Sequence, residues 1–261
     1  MATLFDILLD ITRYAGITIS GKTTAAGSAL YLIDTTRYEV DDYFNHGTIF
    51  FRSGDNKGVT RRVTDYTELT GKVEFVVADY SVDSDVNYTL TIVNRETLVQ
   101  AVNAALLAMG QYDTVDETLT VIDNTTIYDL PSGVNNIKRV EVYANSTDPQ
   151  EYYKLYKWIE KDGKLIFPEE IEITAGQTIR LYYPKYHSEV NEDTDTIRSE
   201  YNRQRVAWEA TAMFMLNRMQ YAGNADERET FLLTNAIGKA ELMGRRFPVK
   251  RMVRDPRLGY E

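Results

Sequence analysis

The sequence has no cysteine and only two histidines, His46 and His187, in 261 residues. Without cysteine there is no disulfide scaffold, no thiolate zinc site and no thiol nucleophile. Two histidines cannot build a three-histidine zinc site, and they leave His-based acid–base catalysis short of parts. His187 follows an aromatic run at residues 182–186 with no nucleophile pattern nearby, which fits a structural role better than a catalytic one. The motifs G-x-S-x-G and H-E-x-x-H do not occur. No apolar run approaches the roughly 20 residues of a membrane-spanning helix. The apolar stretch at residues 4–11 is interrupted by Asp6 and Asp10, unlike the core of a signal peptide. A soluble protein made in a cytosol is expected, with the N-x-S/T sequences at Asn87, Asn124 and Asn145 read as chance.

Positive charge is also in deficit, with 29 Lys and Arg against 39 Asp and Glu, a net −10. Such a surface does not coat duplex nucleic acid. The deficit is uneven, because the last 17 residues carry six basic against two acidic side chains. That segment has +4, which leaves −14 on the rest.

What is present reads as alternating helical and strand texture. Leu4, Ile7, Leu8 and Ile11 fall at helical spacing, which predicts a short amphipathic helix over residues 2–14 ended by Gly16. Residues 17–93 are short β-branched and aromatic runs broken by turn residues, with strands expected near 17–20, 28–34, 48–52, 59–66, 72–77 and 88–93. Strands so closely spaced predict a small barrel or sandwich. Asn94 is placed to cap a second helix with Leu98, Val102, Ala105 and Met109 on its buried stripe and Gly110 as its stop. Strand texture returns over residues 119–183, where 164–167 and 178–183 read as neighbouring strands. Ser199 is expected to cap a long helix through Val206, Ala210, Met213 and Asn217. After a Gly223-Asn224 break, a second helix carries Leu233, Ile237, Ala240 and Gly244 on one face, the pattern of an antiparallel hairpin.

Three segments invite a chemical reading. Residues 16–23 satisfy G-x-x-x-x-G-K-[ST] through Gly16, Gly21, Lys22 and Thr23. A phosphate loop joins a buried strand to a helix, whereas here a helix pattern precedes and a strand pattern follows, so a turn before a strand is the better reading. The acids Glu189, Glu192, Asp193 and Asp195 could offer oxygens to Ca²⁺ or Mg²⁺, but without EF-hand spacing they read as a solvated loop. Asp79, Asp83 and Asp85 are read in the same way. No cofactor and no metal are expected.

The third segment is the tail, with no hydrophobic period and two prolines. Its basic residues Arg245, Arg246, Lys250, Arg251, Arg254 and Arg257 are interleaved with Phe247, Val249, Met252, Val253, Leu258 and Tyr260. A basic extended arm with apolar anchors suits docking on an acidic protein surface. A solubilising tail and a nucleic-acid arm are the alternatives.

Several segments together resemble the head–tail connector, or adaptor, proteins in the neck of tailed bacteriophages. Residues 96–106 resemble that family's first core helix. Residues 127–134, with Leu130-Pro131-Ser132-Gly133-Val134 at their end, lead to residues 137–142 in a way similar to its turn-then-strand step. Residues 164–167 with 175–183 resemble its paired strands, and residues 193–197 leading to 206–212 resemble its approach to a helix hairpin. Residues 41–50 and 58–66 look like a β module of phage neck proteins. The resemblance implies a virion protein made in the host cytoplasm and located at the head–tail interface. It would be a ring subunit, commonly one of twelve, between portal and next neck or tail protein, its C-terminal arm reaching into the portal. DNA would pass through the ring without specific binding, and no membrane is involved.

The expected fold is therefore α+β. A helical core (residues 1–15, a central helix from 94, and a hairpin at about 199–244) would carry inserted antiparallel β modules at 16–93 and about 117–183. Residues 94–244 would be the connector core and 245–261 an extended arm. Arg245, Arg246, Phe247, Lys250, Arg251, Met252, Arg254, Arg257, Leu258 and Tyr260 are the candidate portal-docking residues, and no catalytic residues are expected. Two other functions stay open: a tail-associated protein whose β module binds carbohydrate or protein, and a P-loop nucleotide hydrolase. For the last, ATP binding measured by calorimetry is expected to be nil both in the parent chain and in Lys22→Ala; binding lost on substitution would reverse this reading.

Overall fold

The computed structural model describes residues 1–144, 151–168, 171, 173–222 and 227–251. They fall into two compact units, residues 1–109 with 188–248, and residues 110–187 with the described residues from 249 on. The first unit opens with β1 (Ala2–Thr3) and α1 (Leu4–Tyr14). It continues through β2 (Ile19–Lys22), β3 (Ala25–Ser28), β4 (Tyr31–Ile33), β5 (Thr48–Phe51), β6 (Thr60–Thr67), β7 (Lys72–Phe75) and β8 (Asn87–Thr91) to α2 (Arg95–Met109). The second unit supplies β9 (Tyr112–Thr120), β10 (Ile127–Asp129), β11 (Arg139–Ala144), β12 (Glu151–Leu155), β13 (Ile159–Lys161), β14 (Lys164–Ile166) and β15 (Thr178–Lys185). The chain then returns to the first unit with β16 (Thr196–Ile197), α3 (Arg203–Ala222) and α4 (Glu227–Arg246).

This architecture corrects the expected fold class. The described residues form 16 strands in four sheets, against four α-helices, with 29% of the described residues helical, and a helical core with a helix hairpin is not what they build. The helices do touch, α3 against α1, α2 and α4. Yet α4 buries only Ala236 and Ala240 among its described side chains, whereas Phe51, Tyr66 and Tyr88 lie fully buried in strands. Each strand is short and leaves a faint signal alone; together they hold much of the buried apolar bulk.

Seven strands of the first unit form one antiparallel sheet in the order β2-β8-β5-β6-β7-β4-β3. Its two edge strands are joined by Thr23 and Thr24 alone, so the sheet curls until its edges meet, which removes the liability of open edges. Inside lie Leu32, Phe44, Ile49, Phe51, Val63, Tyr66, Val73 and Tyr88. β5 is buried on both faces: Ile49 and Phe51 belong to this interior, and Phe50 meets Phe5 of α1 edge to face at 5.8 Å. Helix α1 carries its four expected stripe residues fully buried, and a reciprocal capping box between Thr3 and Asp6 fixes its start.

One carboxylate ties the first unit together. Asp193, in the loop before β16, accepts hydrogen bonds from the Thr60 backbone N–H at 2.6 Å, the Thr60 hydroxyl at 2.8 Å and the Arg95 Nη2 at 3.0 Å. Its carbonyl accepts from the Phe5 N–H, and that of Asp195 from the Leu4 N–H at 2.7 Å. Asp195 Oδ2 closes the turn by accepting from the Asn191 and Glu192 amides. The solvated acidic loop of the sequence reading is thus a junction between α1, β6 and α2. Nearby, Asn103 of α2 exchanges two 3.0 Å hydrogen bonds with the Val190 backbone.

The second unit has a four-stranded sheet, β12-β11-β15-β9, and a three-stranded one, β10-β14-β13, around a core that includes Val140, Val142, Leu165, Phe167, Ile179 and Leu181. Segments 164–167 and 178–183 therefore share a core without being paired strands. The Asp162-Gly163 turn between β13 and β14 has positive φ at both residues, 52° and 72°, the geometry of a tight two-residue hairpin.

Three local expectations also change. Asn202 rather than Ser199 caps α3, accepting from the Gln204 and Arg205 amides. On α4 the buried positions are Ala236 and Ala240, while Ile237 is exposed. Alanine lets α4 lie close on α3, where the larger Ile237 would hold it away. The Gly223-Asn224 break lies outside the described residues. Replacing Asp193 with Ala strands both Thr60 and Arg95, and is expected to cost about 3 kcal/mol in urea unfolding; a change within about 0.5 kcal/mol would contradict the role given to this junction.

Candidate functional site

The arm residues are placed as follows. Arg245 and Arg246 form the last turn of α4 and are exposed, so the arm starts later than expected. Cationic side chains complement the carbonyl end of a helix, which favours continuing the helix through them until Pro248 stops it. Phe247 is half-buried. Its N–H donates to the Met243 carbonyl at 2.8 Å, its carbonyl accepts from Arg205 Nη1 at 3.0 Å, and the Arg246 guanidinium lies 5.3 Å from its ring centre. Lys250 and Arg251 are exposed, and Arg251 reaches Gly110, where a Cβ would collide with its guanidinium. Met252, Arg254, Arg257, Leu258 and Tyr260 lie outside the described residues.

A second feature lies at one tip of the seven-stranded module and was missed in the sequence. Asp34, just after β4, is fully buried. Its Oδ1 accepts from the Thr36 hydroxyl at 2.5 Å and the Thr36 amide at 3.0 Å, an Asx-type turn. Its Oδ2 accepts from the Tyr88 hydroxyl at 2.5 Å and from Arg37 Nε at 3.3 Å. Arg37 also donates to Glu39 at 3.3 Å and to the Ser20 carbonyl at 2.7 Å. Burial works to raise the Asp34 carboxyl, but the hydrogen bonds from Thr36, Tyr88 and Arg37 outweigh it and hold the group below its ordinary value. Burial, and then the bond to Asp34, pushes Tyr88 far up, so its hydroxyl stays a donor.

Two glycines serve this network. A Cβ on Gly21 would stand 2.5 Å from the Tyr88 hydroxyl and 2.8 Å from Arg37 Nη2. Gly71, at φ 59°, accepts from the Asp34 N–H at 2.9 Å, and a Cβ there would collide with the Asp34 carbonyl. The glycine that completes the phosphate-loop pattern is thus present for close packing. Residues 19–22 of that pattern are strand β2, paired with β8, and Lys22 pairs with Asp85 at 2.7 Å. A pocket of about 140 Å³ opens beside Gly16 and Ile17, but Arg218 and Glu229 in its wall are paired with each other at 2.8 Å.

What the network positions is the segment 34–43. Hydrogen bonds fasten it to residues 66–71: the Asp42 N–H donates to the Tyr66 carbonyl at 3.0 Å, and Asp41 accepts from the Glu68 amide at 2.7 Å. The resulting tip exposes large apolar side chains, Tyr38 at 83%, Val40 at 65% and Leu69 at 93%, with Tyr43 beside them. They stand among the carboxylates of Glu39, Asp41, Asp42 and Glu68. Below lies Tyr66, 1% exposed, its hydroxyl without a hydrogen-bond partner among the described residues. Burial pushes it up to about 12, with Glu39, Arg37, Glu68 and Asp41 as its charged neighbours. Only the composition of residues 38–43, two tyrosines and a valine among three acids, could have pointed here.

In the second unit, the sheet face away from the core stacks Arg180 on Tyr152, centre to centre 3.3 Å, and Arg139 on Tyr182 at 4.9 Å. Both arginines shelter Glu141, which is 3% exposed and accepts from the Tyr182 hydroxyl at 2.8 Å. Among the described residues, no three His, Asp or Glu side chains converge as metal ligands, and no helix is long and apolar enough to cross a membrane.

Compared with protein-family models and with curated proteins, the chain matches none. Asp34→Ala leaves Tyr88 and Arg37 without their acceptor and is expected to cost about 3–5 kcal/mol in chemical unfolding. Because the folded Asp34 carboxyl lies below its unfolded value of about 4, its contribution is present above that value. It is lost as the pH falls through the lower folded value, so parent and Asp34→Asn stabilities should converge in acid. Parallel stability–pH curves would contradict this.

Proposed function

We propose that this chain is a structural virion protein of a tailed-phage neck. Copies of it form a ring that joins the portal to the next neck or tail protein and continues the DNA channel. The observation that carries this reading is the end of α4. An exposed basic turn, Arg245 and Arg246, leads through half-buried Phe247 to exposed Lys250 and Arg251, on a chain of net charge −10. A cationic segment on a chain of net negative charge suits attachment to an acidic surface of another protein. The segment resemblances of the sequence supply the identity of that protein as the portal, the ring of about twelve copies, and the virion neck as the location.

An acidic body also suits a DNA conduit. Phosphates are repelled from its walls, so a duplex slides through without adhering. Phe247 supplies an apolar anchor within the basic run, its carbonyl held by Arg205. The experiment compares the full chain with one ending at Phe247, which keeps α4 and its last contacts intact. Each is mixed with purified portal and viewed by electron microscopy, with binding measured in parallel. The shortened chain is expected to bind portal at least about tenfold more weakly and to form no rings on it. Unchanged binding would overturn the portal-docking role of the arm.

A further inference from the structure

The geometry points to the tip of the seven-stranded module as the receptor for the basic C-terminal segment, residues 245–261 (the last turn of α4 and the arm after it), of a second copy of this chain. The inference rests on reading the arm as a docking element, but not on the portal as its destination. The tip satisfies what such an arm requires. Apart from the buried Asp34, residues 35–43 and 65–71 together carry five carboxylates against the single cation Arg37. The arm carries six cations against two carboxylates, so the two surfaces are complementary in sign.

Apolar content matches as well. Tyr38, Val40, Tyr43 and Leu69 stand exposed among the acids, just as Phe247, Val249, Met252, Val253, Leu258 and Tyr260 stand among the bases. Exposed apolar groups grouped on one rim of a soluble module mark an interaction surface rather than a solvated loop. The tip is also built rather than loose. Asp34, Tyr88 and Arg37 lock the near end of its longer segment, and the Gly71 carbonyl receives the Asp34 N–H. A rigid receptor loses little freedom on binding, so the ordering cost falls mainly on the arm.

Tyr66 is the independent sign that something is incomplete here. Its hydroxyl is buried beneath the tip with no hydrogen-bond partner among the described residues, in the field of Glu39, Arg37, Glu68 and Asp41. A buried hydroxyl is ordinarily paired, and an arm seated on this rim brings donors and acceptors to the groups around it. Exchange of arms from copy to copy is a head-to-tail contact, the kind that closes into a ring when the rotation permits. One arm cannot serve a neighbour and a portal at once, so this contact belongs to the protein before it meets a portal.

The test therefore contains no portal. A fluorescent peptide of residues 245–261 is titrated with the full-length chain, and its site is mapped by photo-crosslinking. Saturable binding, weakened by added salt, with crosslinks at residues 38–43 and 68–69, is expected. Val40→Ser with Leu69→Ser should weaken it at least about tenfold, and Val40→Lys with Leu69→Lys further. These side chains are exposed, so folding is retained. Leu107→Lys, at an exposed position of α2, should leave binding unchanged. A peptide with its basic and apolar residues sorted into separate blocks should bind less well. Absence of binding, crosslinks elsewhere, equal loss in Leu107→Lys, or equal binding of the block peptide would each overturn the inference. None of these outcomes bears on whether loss of the arm abolishes portal attachment, so the two readings fail separately.

Discussion

The first unit depends on a single carboxylate, Asp193. It receives Thr60 from the start of β6 and Arg95 from the start of α2, while its loop receives the first amides of α1. Three elements far apart in sequence are thereby fixed at one point. A partly buried carboxylate with several charge-assisted hydrogen bonds holds more firmly than one in water, because low local polarity strengthens each bond. The curled sheet, the helix that covers β5 and the helix that leaves the module all take their positions from this junction. Asn103 and Val190 repeat the connection one step further along α2.

With that frame in place, the module can hold a second, deeper polar network at its tip. Asp34, Tyr88 and Arg37 bind one another beside an interior lined mainly by Phe, Leu, Ile and Val, with Tyr66 among them. Buried charge is tolerated there because each acceptor is filled. The effect is outward: the segment 34–43 is presented with its tyrosines and valine exposed amid acids. A rigid, acidic and apolar rim and a basic, apolar arm are complementary parts of one polypeptide. The pairing proposed above would link the charge imbalance of the sequence to assembly by contact.

Some of this was legible in the sequence. The stripe of α1, the cap at Asn94 with the buried face of α2, and most strands of the β module follow from local periodicity and capping chemistry, which act over a few residues, whereas the single strand expected at 28–34 is the end of β3, a turn and β4. The α4 face was misread because a helical period allows either Ile237 or Ala236 inward, and only the closeness of α3 chooses the smaller side chain. The helical core was over-weighted for a related reason: long helices announce themselves, whereas strands of three to five residues gain their weight only by pairing.

The sequence by itself determined the charge asymmetry, the absence of thiol chemistry, the buried stripes of α1 and α2 and the alternation of strand and helix texture, because these are properties of composition and near neighbours. Tertiary structure alone decided that Gly21 makes room for Tyr88 instead of curling around a phosphate. It alone turned Asp193 from one acid among several into a junction, and it alone brought residues 38–43 beside Leu69. The physical reason is common to all three. Each meaning arises from groups separated by roughly 25 to 130 positions in the chain, and no local pattern records a contact over such a distance.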